Sequence, residues 1–482
     1  MPSDERENRS TLRTLLAVGL VVGVAAACHG NLLDVKDPDV VSPSQLSGAG
    51  AVAPLNAGVI GDFTEMMDNY VRYSGLLTDE FLLAGTFPTR LEVDDRHINV
   101  NNSTITNEVM SPLQVSVSSA DNAAMLLANA IGDPDFAEIQ GDVKKGLARA
   151  QLLGGYDRIF FAEAYCQSIF SSPVAETAPV LPDDRAAEAL ALLEKAETSA
   201  GGAGLADAAT AAQVGQARAQ MFLGNYQAAA QTVSSVPTGF AYLVEYSTNT
   251  PAEENEVNNL TWGTSGTAVR WTVGSGDDAQ RHHESWPYFD EWVRQGMLIP
   301  PTQHGVAAFG SPNRTVNLQT EYGSADPSPD SVAPYNRSGP GRAAPIVLAS
   351  GWEARMIEAE AQLRAGQTAA AQAAVNALLA EPDQADNPIR RVNPNVPFAA
   401  FDSVAFDGDL AHDLTELARA RAAGMWLQGQ RLGYFRRLFL NDGVDLYPTG
   451  TSRDDIAFPV VQQELDNNPN ISSACPSGPP WR

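Results

Sequence analysis

The residues best suited to chemistry in this sequence are flat rings rather than nucleophiles. Trp262, Trp271, Trp286, Tyr288 and Trp292 cluster in a stretch of little periodicity. An aromatic ring offers a large apolar area at small entropic cost, and the C–H face of a sugar lies well against it. Such rings serve equally as packing, so each is a candidate ligand contact and a candidate core residue. Trp352 and Trp426 sit on predicted helices and are expected in the core. The histidines give no metal motif. His282, His283 and Glu284 are adjacent and lack the HExxH spacing that turns two imidazoles toward zinc. His97, His304 and His412 have no cysteine or carboxylate at ligand spacing, and Asp133, Asp135 and Asp142 lack the EF-hand pattern and read as solvated loop. No G-x-S-x-G elbow or phosphate-binding G-x-x-x-x-G-K-[ST] occurs. A glycoside hydrolase needs two carboxylates ~5 to 9.5 Å apart; among 58 acidic residues no pair stands out. The expectation is binding without catalysis, with no cofactor and no metal.

Charge narrows the partner. Lys and Arg total 31 against 58 Asp and Glu, a formal charge of -27. An acidic field repels phosphate, which argues against nucleic acid or an anionic lipid surface and leaves neutral ligands open. At 44% hydrophobic residues the chain has ample material for a core.

There are three cysteines. Residues 15–27, LLAVGLVVGVAAA, form an apolar run of signal-peptide length, shorter than the ~20 residues of a membrane-spanning helix. Its small-residue end, Ala25–Ala27, precedes Cys28 and resembles a bacterial lipobox, although leucine is usual where Ala25 stands. The reading is a signal peptide over residues 1–27 and a lipidated Cys28 tethering residues 28–482; plain cleavage after Ala27 is the alternative. Several acyl chains hold a protein on a bilayer far better than one, at ~0.8 kcal/mol per buried CH₂. Cys166 and Cys475, in an exported chain, form either a disulfide or two separate thiols.

The elements that must position these residues read as helices. The octapeptides ARAQLLGG (148–155), ARAQMFLG (217–224) and AEAQLRAG (359–366) share A-x-A-Q-x-x-x-G, and their first two glycines are 69 residues apart, near two tetratricopeptide (TPR) periods. NYQAAAQTV after Gly224 and QTAAAQAAVNALL after Gly366 each read as the second helix of a hairpin, with the glycine supplying a left-handed turn. Ala219, Phe222, Leu223 and Tyr226 fall at i, i+3, i+4 and i+7, and Ala371, Ala374, Val375, Leu378 and Leu379 repeat that spacing. RAAEALALLEKAE (185–197), after Pro182, is a further helix. The fold class is mainly α: TPR-like hairpins, around 120–237 and 345–440, with loop-rich parts and short strands around 81–118 and 240–345.

Several segments together resemble the SusD/RagB family of outer-membrane nutrient-binding lipoproteins. They are NLLDVKDPDVVSP after Cys28, LLTDEFLLAGTFPTR (76–90), PIVLASGWEARMIEAEAQLRAG (345–366), RARAAGMWLQGQRLGYFRRL (419–438) and AFPVVQQELDNNPN (457–470). The second is similar to the family's early loop near ligand, which makes Phe87 and Arg90 candidate ligand contacts, the third to its strand-to-helix passage, the fourth to its penultimate helix, which commonly has glutamate where Gln428 stands, and the last to its terminal motif. The resemblance implies one domain of about four TPR-like hairpins packed against a loop-rich, ligand-binding half, which captures an oligosaccharide or peptide at the cell surface, anchored to the outer membrane by lipid, and delivers it to a SusC-type TonB-dependent transporter. Two other readings are a periplasmic TPR scaffold lipoprotein, which has no need of the irregular stretches, and an exported hydrolase of glycans or peptides.

Overall fold

The computed structural model of the chain describes residues 48–78, 80–83, 87–94, 96–170, 178–257, 267–269, 341–380, 386–392, 403–446 and 456–475. Cys28 and the signal run lie outside them. The chain divides into two units, 1–51 and 52–482. Of the first, a 3-10 turn at Ala49–Ala51 is described; the helices and strands from Val52 onward belong to the second.

The first long helix, α1 (Val52–Leu77), buries Val59, Phe63, Met66, Tyr70, Tyr73 and Leu77, apolar residues recurring at helical spacing. A short strand β1 (Phe81–Leu83) and a seven-residue helix α2 (Pro88–Asp94) follow. A π-helical turn, Ile105–Met110, then runs directly into α3 (Ser111–Ala130). The sequence reading made 81–118 loop with short strands. The structure corrects it: Ile105, Val109, Leu113 and Val117 are buried four residues apart, a helical stripe that the polar residues between them conceal.

Next come α4 (Gln140–Ala164), α5 (Pro182–Gly202), α6 (Ala206–Phe222) and α7 (Tyr226–Val233). Sequence neighbours α3 and α4, α5 and α6, and α6 and α7 pack together, as short connections require of antiparallel helices. Gly224 takes φ +77° at the α6–α7 reversal and Gly366 takes φ +72° in the corresponding later turn, the left-handed conformation expected of both. The first copy of the repeat differs. Gly155 lies inside α4, where an added Cβ would stand 2.6 Å from Cγ of Leu193, so that glycine permits close approach of α5 instead of a turn. Tyr226 likewise begins α7 and does not extend the stripe of α6.

Strands β2 (Ala241–Val244) and β4 (Ile346–Ser350) pair antiparallel, from Ala241 opposite Ser350 to Val244 opposite Ile346. Between them β3 (Thr267–Val269) pairs with β1, Phe81 opposite Val269. Ser350 then caps α8 (Gly351–Arg364), its side chain accepting the N–H of Glu353 at 3.1 Å. The strand-to-helix passage thus stands where the sequence puts it. Helix α8 pairs with α9 (Thr368–Ala380), whose Ala371, Val375 and Leu379 are buried while Ala374 is exposed. After a short α10 (Ile389–Val392) come α11 (Leu410–Met425), α12 (Arg431–Asp442) and α13 (Gln462–Asn467). The segment 419–438, read as one helix, is two, broken where Leu427 and Gly429 adopt φ +55° and +68°.

The principal core joins α1, α3–α6, β2, β4 and α12; a second cluster lies between α8, α9 and α11 around Trp352, Met356 and Leu417. Trp352 and Trp426 are wholly buried, as expected. Charges hold the helices too. Arg218 pairs with Glu163, and Arg437 forks onto Glu360 at 2.6 and 2.7 Å. Arg436 donates from Nη1 to the carbonyls of Ala162, Glu163 and Tyr165 at 2.8 to 3.1 Å, satisfying the last turn of α4. Cys166 and Cys475 form a disulfide, fastening the C-terminal segment to the end of α4. That segment also receives the chain before α3, since Gln462 N–H donates to Val100 O at 2.8 Å.

Candidate functional site

Of the candidate ligand contacts, Phe87 and Arg90 are described; Trp262, Trp271, Trp286, Tyr288 and Trp292 lie outside the described residues. The structure places Phe87 just ahead of α2, with Pro88 as the first helical residue, a position that suits its fixed φ and missing N–H. The ring is 51% exposed and the Arg90 guanidinium sits 5.0 Å from its centre. Leu91, one turn on, is 43% exposed, so α2 presents an apolar edge to solvent.

Behind this edge stands Glu108, carried by the π turn, a helical irregularity common at functional sites. Its carboxylate accepts Arg90 at 3.3 and 3.4 Å, Arg72 at 3.5 Å, and the Tyr73 hydroxyl. Burial, outweighing the nearby Arg72, pushes the Tyr73 hydroxyl well above its ordinary range, so it stays a donor. Asn102 fixes α2 against the π turn: its Nδ2 donates to Thr89 O and to Glu92 Oε2, each at 2.7 Å, and its Oδ1 accepts Ile105 N–H at 3.0 Å. The result is a half-exposed ring beside a planar donor and a carboxylate acceptor, all held from behind.

A second feature adjoins it through α1. Residues 254–257 lead into the stretch 258–340 and residues 341–344 lead out, and the two are clasped together. Asn255 N–H donates to Arg342 O at 2.8 Å, Asn255 Nδ2 donates to Ala344 O at 2.7 Å, and Arg342 pairs with Glu254 at 3.1 Å. This neck rests on α1, where Glu256 N–H donates to Asp68 Oδ2 at 2.8 Å and Tyr246 donates to Thr64 O at 3.0 Å. Asp68 is 3% exposed and its Oδ1 has no partner among the described residues; burial pushes its carboxyl up to about 7 against the pull of Arg72. In sequence, Trp262 precedes Thr267 by five residues and Trp271 follows Val269 by two, so β3, paired with β1, lies between two of the candidate tryptophans.

Other cavities suit ligand less well. One of about 30 Å³, lined by Glu80, Arg421, Gln430 and Tyr434, is a gap within the helical core large enough for water. An open groove of about 380 Å³ lies at the α6–α7 turn beside Arg364, but that guanidinium is occupied by Glu360 and Asp442 and stacked on Tyr226.

The reading of His412 is corrected. Its Nδ1 lies 3.4 Å from Asp407 and 3.5 Å from Asp413. The Asp413 carboxylate already accepts the N–H groups of Asp407 and Gly408, forming the entry turn of α11. Asp133 behaves similarly, accepting Asp135 N–H at 2.9 Å to start a 3-10 turn. Sequence reasoning missed Arg72, Tyr73, Asn102 and Glu108. The apolar stripes of α1 and of 105–117 were the available signal; the Arg72 and Tyr73 pairings with Glu108 span 36 and 35 residues and leave no local mark. No helix among the described residues is long and apolar enough to cross a membrane.

No family model and no curated protein matches the sequence. Solved structures do. The chain is similar to a SusD superfamily protein from Bacteroides vulgatus (TM-score 0.57, 12% identity, 88% of this chain and 97% of that one). It is similar to surface glycan-binding protein A from Bacteroides uniformis (TM-score 0.53, 12% identity, 88% and 98%) and to a laminarin binding SusD-like protein (TM-score 0.53, 13% identity, 88% and 99%). At these identities the likeness is one of architecture, and over nearly the whole length the chain has the SusD-like fold.

Proposed function

We propose that this SusD-like chain is a surface-exposed outer-membrane lipoprotein that captures a neutral oligosaccharide without altering it and hands it to a SusC-type TonB-dependent transporter. Residues 1–27 act as the signal peptide, and Cys28 carries the lipid. Supporting the reading above all is the SusD-like fold extending over 88% of the chain in proteins two of which are named as glycan or laminarin binders. The half-exposed Phe87 flanked by Arg90 and Glu108 supplies what a sugar ring needs: an apolar platform with a donor and an acceptor at its margin. A charge of -27 favours an uncharged cargo over an acidic one. The tryptophans of 258–340 and Tyr288 extend that platform in this proposal, and the helical hairpins serve as the docking body for the transporter.

Titration calorimetry of the purified protein against laminarin, soluble starch and a mixture of neutral tripeptides tests it. Binding of one glucan without release of reducing ends is the expected result. Phe87→Ala is expected to weaken that binding about tenfold, the scale of one lost aromatic contact, while leaving the melting temperature unchanged. Binding confined to peptides would replace the cargo class, and hydrolysis of the bound glucan would overturn the non-catalytic reading.

A further inference from the structure

One buried side chain touches both parts of the proposed binding face. The Arg72 side chain is 5% exposed, and it lies between the edge of α2 and the neck of the 258–340 stretch. Its Nη2 reaches Glu108 at 3.5 Å and donates also to Asn69 Oδ1; its Nη1 lies 4.0 Å from Glu256. Glu108 in turn holds Arg90, whose guanidinium stacks on Phe87. Glu256 in turn is held through its N–H by Asp68, one helical turn before Arg72. The guanidinium is a rigid planar fork, which can hold two carboxylates at a fixed separation where an ammonium acts as a single point.

We infer that Arg72 is a positioning residue of the proposed binding face, setting the Phe87–Arg90 edge and the neck at Glu256 against each other, and that Asp68 makes this hold sensitive to pH. The inference rests on the proposed function for its consequence in binding, though the coupling itself is a property of the fold. Burial disfavours the charged form of Asp68; Arg72 from its own helix and the N–H groups of Glu256 and Asn69 favour it, and the Glu256 carboxylate of the neck disfavours it. Of the other elements packed on α1, the π turn brings Glu108 and α2 brings Arg90, paired with each other; α3 brings Asp121, paired with Arg158 of α4; and α4 brings Asp157, bonded to Ser116, and Glu163, paired with Arg218. The 3-10 turn Pro251–Glu253, just ahead of the neck, brings Glu253, which bonds to Ser247 and Thr250, and α12 brings Arg431, which acts on Glu80. None of these reaches the unpartnered Oδ1.

The direction follows from linkage. Burial under the neck is the largest influence on Asp68 and outweighs the Glu256 N–H bond made there, so the seated neck binds a proton that the lifted neck releases. The neck is therefore held best below pH 7 and loosens as pH rises through neutrality. Asparagine at position 68 keeps the oxygen that accepts Glu256 N–H and has no charge to gain.

Amide hydrogen exchange of the purified full chain at pH 6, 7 and 8, corrected for intrinsic rates, tests this without ligand. In the native protein, protection of Glu256 should fall several-fold from pH 6 to 8, while Asp68→Asn stays at the pH 6 level throughout. Arg72→Gln should lower protection at both Glu256 and residues 90–92, with the amides of Phe160 and Phe161 in α4 unchanged. Glu108→Gln should affect the α2 side alone. If Arg72→Gln does not fold, Arg72→Lys takes its place, and loss of protection on both sides supports the inference. Wild-type protection on either side in a folded Arg72 variant, or the same pH profile in Asp68→Asn, overturns it. Failure of the protein to bind any glucan would sink the proposed function and leave these exchange results standing.

Discussion

The helical hairpins and the α2 edge are built from the same pair of residue types and use them in opposite ways. In the hairpins, Glu360 is wholly buried and takes both arms of Arg437 with Arg364 on its flank. At the edge, the Glu108 side chain is 32% exposed and shares two arginines and a tyrosine at mostly longer distances. Burial decides the difference. A dry carboxylate has no alternative to its arginine, so the pair fixes one arrangement of helices. A wet one can exchange a protein donor for water or a ligand hydroxyl at little cost, so its partners can be rearranged when cargo arrives.

The sharpest way to break that contrast is to remove one arginine from the carboxylate on each side. Arg437→Met leaves Glu360 buried with Arg364 alone. Burial pushes that carboxyl up, and at present Arg437 first and Arg364 next more than offset it and hold it below its usual value. Removing one partner of such a pair costs on the order of 3 to 5 kcal/mol, read as a loss of stability in urea unfolding. Arg90→Met at the edge leaves a partly exposed Glu108 to Arg72, the Tyr73 hydroxyl and water, and should cost under about 1 kcal/mol. Equal costs would mean that the edge is as structural as the hairpins.

What the sequence made legible divides along the same line. The A-x-A-Q-x-x-x-G repeats located α6–α7 and α8–α9, because a left-handed glycine between two apolar stripes is a local signal. Helix α1 was overlooked because Pro54, Gly58 and Gly61 punctuate its first turns, and its buried stripe emerges clearly only from Val59 onward. The edge was half legible. Phe87 and Arg90 came through the resemblance, whereas Glu108 and Arg72 are neighbours across 36 residues and became visible only once α1 and the π turn were placed side by side. Five of the candidate aromatic residues fall outside the described residues and stay proposals.

A middle-sized effect separates buried acids of the scaffold from the one at the edge. Glu80 and Glu353 are pushed up to about 7 by burial, against the pull of Arg431 and Arg218 respectively, as Asp68 is at the neck. Each folded carboxyl holds a proton that the unfolded chain releases near 4 to 4.5, so stability is greatest below that range and is lost as pH rises through about 7. The scale is on the order of 3 kcal/mol per group at full ionisation. The melting temperature should drop between pH 5 and 8, and Glu353→Gln should flatten part of that drop while leaving Glu256 exchange as it was. If it alters Glu256 exchange as well, scaffold and edge are one cooperative unit.

The smallest effect concerns the glycines that the repeat made look alike. Gly366 sits at φ +72° with no heavy atom within 4 Å of an added methyl, so alanine there meets only the backbone penalty of the left-handed region, about 1 kcal/mol. Gly155 has ordinary helical geometry, and its cost is steric: the added methyl meets Leu193 Cγ at 2.6 Å and Cδ2 at 2.7 Å, between α4 and α5. Overpacking of that kind costs about 1 to 3 kcal/mol, and its relief requires Leu193, itself wholly buried, to move. A second change should therefore tell them apart in thermal melts. Leu193→Ala creates a gap that Gly155→Ala partly fills, so the double variant should be more stable than the sum of the two single losses. Leu193→Ala should leave the loss from Gly366→Ala as it is. Equal behaviour at the two positions would show that helix packing at Gly155, like the turn at Gly366, is governed by backbone conformation and not by contact.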